Sequence, residues 1–334
     1  MDDLWIYILA GAAGLILIII VMAIAYQRGK KKGMSLSYAT PMNKPEPEGQ
    51  SEKVFTLLHP FLPVGMLEIF DVLNKDYTRE DLTRLRAEVT ASILCGGVMI
   101  EYSGDEPKNP DMLYDKLNEI MSTVIPLIKE NEGAIEGVRD GLYRAIYPHS
   151  AEAGLRSAVQ ICDALPKQTL ALGLAYGRMS VGIVGNEKRM EVLSISPSTN
   201  AAESLSMMGT EFYARIIATE AFAKQVPGFE KKYNSRVLGL ISYSDSEDCE
   251  MVYDVFDGDA VVIRNLKRKT KNVFEKGVRL YTKRSFSEAR GYFIEVLKVD
   301  HQDLAARNYL FLCDKYLKLS REEIENADIT LLRV

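Results

Sequence analysis

"GLAYGRMSVGIVGNEKRMEVLSISPSTNAAESL", Gly173 to Leu205, is the stretch on which the fold turns. It opens inside an apolar run, Thr169–Gly177, that reads as a strand. Gly185 marks a turn, a short charged tip follows, and Met190–Ile195 reads as a second apolar strand. The chain then enters a helix around Asn200–Leu205. Serine, threonine and asparagine at Ser198–Asn200 are residue types that favour a helix start, so Asn200 fits a capping role.

Upstream, "EVTASILCGGVMIEY" (Glu88–Tyr102) reads as a strand. "NPDMLYDKLNEIMSTVIPLIKEN" (Asn109–Asn131) opens on an Asn-Pro signal. Its Leu113, Leu117, Ile120, Met121, Val124, Leu127 and Ile128 recur at helical spacing. "GAIEGVR" and "GLYRAIY" flank Asp140-Gly141, a strong hairpin signal. Ser150–Leu165 reads as a second helix, and strands continue at Ala214–Ala218, Arg236–Ile241 and Met251–Val255. Strand, helix, hairpin, helix, strand predicts an α+β fold, ferredoxin-like, with helices layered on a mixed sheet.

The start of the chain is different. Leu4 to Tyr26 carry no charge, a run long enough to cross a hydrocarbon core of about 30 Å at about 1.5 Å per residue. Arg28, Lys30, Lys31 and Lys32 follow at once, while only Asp2 and Asp3 precede it. The positive-inside rule then predicts a single-pass anchor in the inner or plasma membrane, N-terminus outside and soluble parts cytoplasmic. Trp5, Tyr7 and Tyr26 sit where interfacial anchors belong, and "AGAAG" (Ala10–Gly14) would let two such helices approach. Residues 1–32 thus read as anchor and basic flank. Residues 33–53, rich in proline, serine and charge, read as a flexible linker. A short amphipathic helix is expected at Pro63–Asn74.

Composition narrows the chemistry. The net charge of −5, with no long basic run beyond the anchor, argues against a nucleic-acid partner. "RNLKRKTKN" (Arg264–Asn272) reads as a solvated linker or helix start. Cys95, Cys162, Cys249 and Cys313 show no zinc spacing and fit reduced structural thiols. His59, His149 and His301 are too scattered to form a ligand pair.

Residues 266–330 form a helical tail. Val273–Asp303 holds two helices of about tetratricopeptide length, with Gly277, Phe286, Ala289 and Phe293 at that repeat's small and aromatic positions. Leu304–Leu319 would cover them. One such repeat cannot bury its apolar face alone, so it must pack on the main domain or on a partner.

Residues 54–262 resemble the catalytic domain of class III adenylate/guanylate cyclases, most specifically through the opening stretch. The likeness, from Phe55 to Phe256, covers about sixty per cent of the chain. It implies two metal ions, Mg²⁺ or Mn²⁺, held by two aspartates that cyclise a nucleoside triphosphate. The first aspartate position falls on Gly97 and the second on Gly141. Asp140 is displaced by one residue and would reach a metal only if the hairpin is bulged. The purine-reading lysine falls on Gly137, and its partner on Pro197. The family pattern G-D-x-V-N-x-A-x-R reads here S-P-S-T-N-A-A-E-S. Asn200 matches, the phosphate-stabilising arginine position is Ser204, and neighbouring Glu203 has the opposite sign. Removing such electrostatic help costs factors of about 10² to 10³ per donor.

These substitutions favour a membrane-anchored, catalytically inactive cyclase-like module with no cofactor. It would self-associate or pair with another cyclase-like protein, and its tail would dock a protein partner. An active cyclase with displaced metal ligands, needing Mg²⁺ or Mn²⁺, and a nucleotide sensor without turnover are the alternatives.

Overall fold

The computed structural model describes residues 84–334, apart from 99–101, 104–105, 108, 167–170, 187–188 and 244–247. The expected anchor, linker and Pro63–Asn74 helix lie outside these residues. No helix among the described residues is long and apolar enough to cross a membrane.

The chain runs β1 (Arg86–Gly97), β2 (Tyr102–Ser103), β3 (Glu106–Pro107), α1 (Pro110–Glu130), β4 (Ala134–Arg139), β5 (Leu142–Tyr147) and α2 (Ala151–Ala164). Then come β6 (Leu172–Asn186), β7 (Arg189–Ile195), α3 (Pro197–Phe212), β8 (Ile216–Thr219), α4 (Glu220–Lys224), α5 (Phe229–Lys232), β9 (Ser235–Ser242) and β10 (Cys249–Val255). The tail is α6 (Val261–Thr282), α7 (Phe286–Val299), α8 (Leu304–Tyr316), α9 (Arg321–Glu325) and β11 (Leu332–Arg333).

The main sheet has the order β11-β9-β10-β8-β6-β1-β5-β4, with β7 paired to β6. β6 and β8 are parallel, joined by a crossover through β7 and α3. β1 lies between β5 and β6, antiparallel to both. Its residues from Ala91 to Gly97 are all buried, because both faces of the strand are covered. On one face Ile120, Val124 and Ile128 of α1 and Leu155, Ala158 and Ile161 of α2 pack on Leu94, Ala145 and Leu174. On the other, Ala201 and Ala202 of α3 lie against Ile93, Cys95, Ile146 and Ala175. Full burial of such an aliphatic side chain contributes about 1.5–3 kcal/mol.

The local signals behind these elements are visible. Asp140 and Gly141 both have positive φ (51° and 79°), as the two central residues of a tight hairpin require. The Ser150 side chain accepts a hydrogen bond from the Ala153 N–H and starts α2. Asn109 precedes α1 but makes no capping bond, and Pro110 sets the first turn instead. α3 corrects the sequence reading: it starts at Pro197, and its cap is Ser196, whose side chain accepts from the Ser198 N–H. Asn200 therefore lies inside the helix and is not its cap.

The tail helices join the sheet's own core. Phe274, Tyr281, Phe293 and Tyr309 cluster with Leu238, Ile241 and Val252 of the sheet and Leu205, Met208 and Phe212 of α3. Phe293 and Tyr309 stack with ring centres 4.7 Å apart, and the Tyr309 hydroxyl donates to the Leu238 carbonyl at 2.7 Å. A Cβ on Gly277 would meet the Phe293 ring at 2.9 Å, so the α6–α7 contact needs a glycine there. Of the two readings of the basic Arg264–Asn272 stretch, linker or helix start, the second holds: it lies in the first half of α6. Lys267 within it is 2% exposed and pairs with Asp254 at 2.8 Å and Asp259 at 2.7 Å. Asp254 also binds Arg236 at 3.0 Å, and Arg236 reaches Asp303 at 2.6 Å while lying over Phe274. These are buried charges that survive only because each is paired.

Candidate functional site

β1 and the β4–β5 hairpin bring Gly97 and Gly141 together. Gly97 is opposite Leu142, and the Val98 N–H donates to the Gly141 carbonyl at 2.9 Å. A Cβ built on Gly97 would lie 2.1 Å from that same carbonyl oxygen. The two positions where the cyclase resemblance expects metal-holding aspartates are neighbours, and the backbone fills the space between them. Two carboxylates of the kind Mg²⁺ needs are not present, so these residues do not fit the metals.

Asp140 sits exposed at the hairpin tip. The β4–β5 register shift lies between Ile135 and Gly137, on the far side of β4 from the turn. Pairing is regular from Gly137 opposite Arg144 to Arg139 opposite Leu142, so no bulge redirects Asp140. Gly137 faces open space.

What the fold does assemble is a cavity of about 790 Å³ beside the start of α3. Its wall holds Arg144, the segment Ser194–Asn200, Tyr243, Asp248, Cys249 and Glu250. Asn200 and Pro197 belong to it; Ser204, one turn further along α3, does not line it. Arg144 is held between Glu136 and Glu203, 3.2 Å from each. Glu136 also accepts from the Ser194 N–H at 3.1 Å and from its hydroxyl. The Tyr243 hydroxyl donates to Glu250, which also accepts from the Ala221 N–H at 2.6 Å. Burial, and then that carboxylate, push the Tyr243 hydroxyl's pKa up and keep it a donor.

The N-terminus of α3 offers little to an anion. Pro197 has no N–H, and Ser196 takes the N–H of Ser198 with its hydroxyl and that of Thr199 with its carbonyl, each at 3.1 Å. The Thr199 hydroxyl, in contrast, is buried and makes no hydrogen bond. Burial pushes the thiols of Cys95, Cys162 and Cys313 up to about 12, far from a reactive thiolate.

The Arg144–Glu136–Glu203 cluster was not anticipated from the sequence. Its members lie on β5, β4 and α3, and no local pattern links them. Arg144 did leave a trace, as the one charge in the otherwise apolar or aromatic run "LYRAIY".

No protein-family model matches the chain. Over 223 residues it is 23% identical to the terminal-differentiation-specific adenylate cyclase of Dictyostelium discoideum, covering 62% of this chain and 10% of that protein. The chain thus spans about a tenth of the curated relative's length. Among solved structures, a bacterial light-regulated adenylyl cyclase superimposes with a TM-score of 0.53 at 16% identity, over 66% of this chain and 67% of that one. The described part of the chain has the fold of a class III nucleotidyl cyclase catalytic domain.

Proposed function

We propose that this chain is a catalytically inactive cyclase-fold module that acts by self-association or by pairing with another cyclase-like protein. Leu4–Tyr26 would hold it to the membrane with the cyclase fold on the cytoplasmic side. The observation that carries the proposal is the approach of the Gly141 carbonyl to Gly97, which leaves no room for a side chain at Gly97. Two further features support it. Ser204 supplies no cation for a triphosphate, and the one arginine of the cavity wall already serves two carboxylates. A nucleoside triphosphate, with charge near −4, would meet the carboxylates of Asp248 and Glu250 in the same wall.

The tetratricopeptide-like reading of the tail rests on its sequence spacing, and its apolar face is used on the chain's own sheet. A protein partner docking on the tail would instead meet outward residues of the α8 region such as Phe311 and Leu317. The competing reading, an active adenylate cyclase, is favoured by the name of the Dictyostelium relative.

The purified full-length chain, incubated with ATP or GTP and Mn²⁺ or Mg²⁺, is expected to accumulate no cyclic nucleotide. Accumulation that Asp140→Ala abolishes would overturn the proposal and make Asp140 the displaced metal ligand.

A further inference from the structure

The outward face of α6 carries charge of one sign. Lys269, Lys276, Arg279 and Lys283 are all exposed. Positions i, i+7, i+10 and i+14 share one side of a helix, so the four form a stripe about 21 Å long. Among the described residues no carboxylate pairs with any of them. Glu275, the one acid of α6, is turned to Lys271 at 3.9 Å and to the Val237 N–H at 3.0 Å. The stripe works against the helix that bears it. Lys276 and Arg279 are three residues apart, and Arg279 and Lys283 four, so like charges repel across a turn. The first turn of α6 holds no acid, and Arg264, Arg268 and Lys269 follow it, although a helix N-terminus favours negative charge. A helix face that is merely solvated gains from opposite signs at these spacings. In a chain of net charge −5, four exposed cations in a row are segregated charge, not average composition.

We propose that this stripe docks an acidic segment of a protein partner. About seven extended residues span its length, and their Asp or Glu side chains would meet the four cations. Other polyanions fit less well. A single-stranded nucleic acid takes stacking rings beside the cations, and here Tyr292 is covered by Lys276, 4.6 Å from the ring centre. A lipid surface takes apolar side chains set among the cations, whereas the exposed Val261 and Val262 sit in the first turn, before the stripe begins. The inference goes beyond the inactive-module reading and does not depend on it.

The test is fluorescence anisotropy of dye-labelled deca-glutamate, titrated with the full-length chain in non-ionic detergent at low salt. One saturable site is expected, weakened about tenfold or more in the double variant Lys276→Gln, Lys283→Gln. Lysine and glutamine have similar helix propensity, so this variant should melt with the parent. The double variant Lys116→Gln, Lys129→Gln, at exposed positions of α1, removes the same charge elsewhere and should keep the affinity. Equal losses in the two double variants, or no saturable binding to the parent, would overturn the proposal. Decathymidylate, or micelles doped with phosphatidylserine, displacing the peptide more strongly than unlabelled deca-glutamate would overturn it as well, in favour of a nucleic acid or a lipid surface. Cyclic-nucleotide output from the same preparation reads the inactive-module proposal separately, so either can fail alone.

Discussion

Gly97 is held to glycine by its neighbour: with the Gly141 carbonyl 2.1 Å from where a Cβ would stand, a side chain fits only if the hairpin moves. Gly97→Asp is therefore expected to cost about 1–3 kcal/mol in denaturant unfolding, as overpacking does, and to yield no Mn²⁺-dependent cyclic nucleotide. A variant as stable as the parent and active with Mn²⁺ would show that the hairpin opens freely. The start of α3 gives a second test. Ser196 accepts from the Ser198 N–H, so Ser196→Ala should cost about 1 kcal/mol. Asn200 is exposed within the helix, so Asn200→Ala should stay within about 0.5 kcal/mol. Equal losses would return the cap to Asn200. At this scale the sequence shows which residue types are missing. It does not show that the Gly141 carbonyl closes the space at Gly97, because that contact joins residues 44 positions apart through the β1–β5 pairing.

Among the elements, α8 is tied to the sheet through its own cap. Asp303 accepts from the Ala306 N–H at 3.0 Å and pairs with Arg236 of β9 at 2.6 Å. Burial alone would raise its carboxyl, but the Arg236 charge and these hydrogen bonds bring it below the usual aspartate range. An unfolded aspartate titrates near 3.9, so this pairing contributes fully above about pH 4 and is lost as pH falls through the lower folded value. Asp259 shifts the other way, raised by burial despite Lys267, so total stability against pH mixes the two. Asp303→Asn separates them. It should be less stable than the parent by about 3–5 kcal/mol at pH 7, since it strands a buried arginine, with the gap narrowing as pH falls below about 4. A gap that stays constant across that range would remove Asp303 from the acid response. The helices and hairpin of this region were legible because periodicity and turn chemistry are local. The burial of Lys267 was not, since a lysine in a basic run becomes a core residue only when Asp254 and Asp259 are brought to it.

Over the whole molecule, tail and sheet have one apolar cluster in common, with Tyr309 bonded to β9 and Arg236 linking β9, β10 and α8. Scanning calorimetry of the described region within the full chain should show tail and sheet melting in a single cooperative transition. A separate low-temperature transition, abolished by deleting residues 261–334, would mean that the tail is an independent unit. By itself the sequence determined the element types, the tight hairpin at Asp140-Gly141 and the mixed α+β sheet. These follow from spacing and side-chain chemistry within short windows. Only the tertiary structure decided that the Gly141 carbonyl leaves no room for a side chain at Gly97, that the tail completes the sheet's core, and that a cavity lined by Arg144, Tyr243 and Glu250 stands beside Asn200. Each depends on backbone and side-chain atoms from distant segments meeting within a few ångströms, which a one-dimensional pattern does not encode.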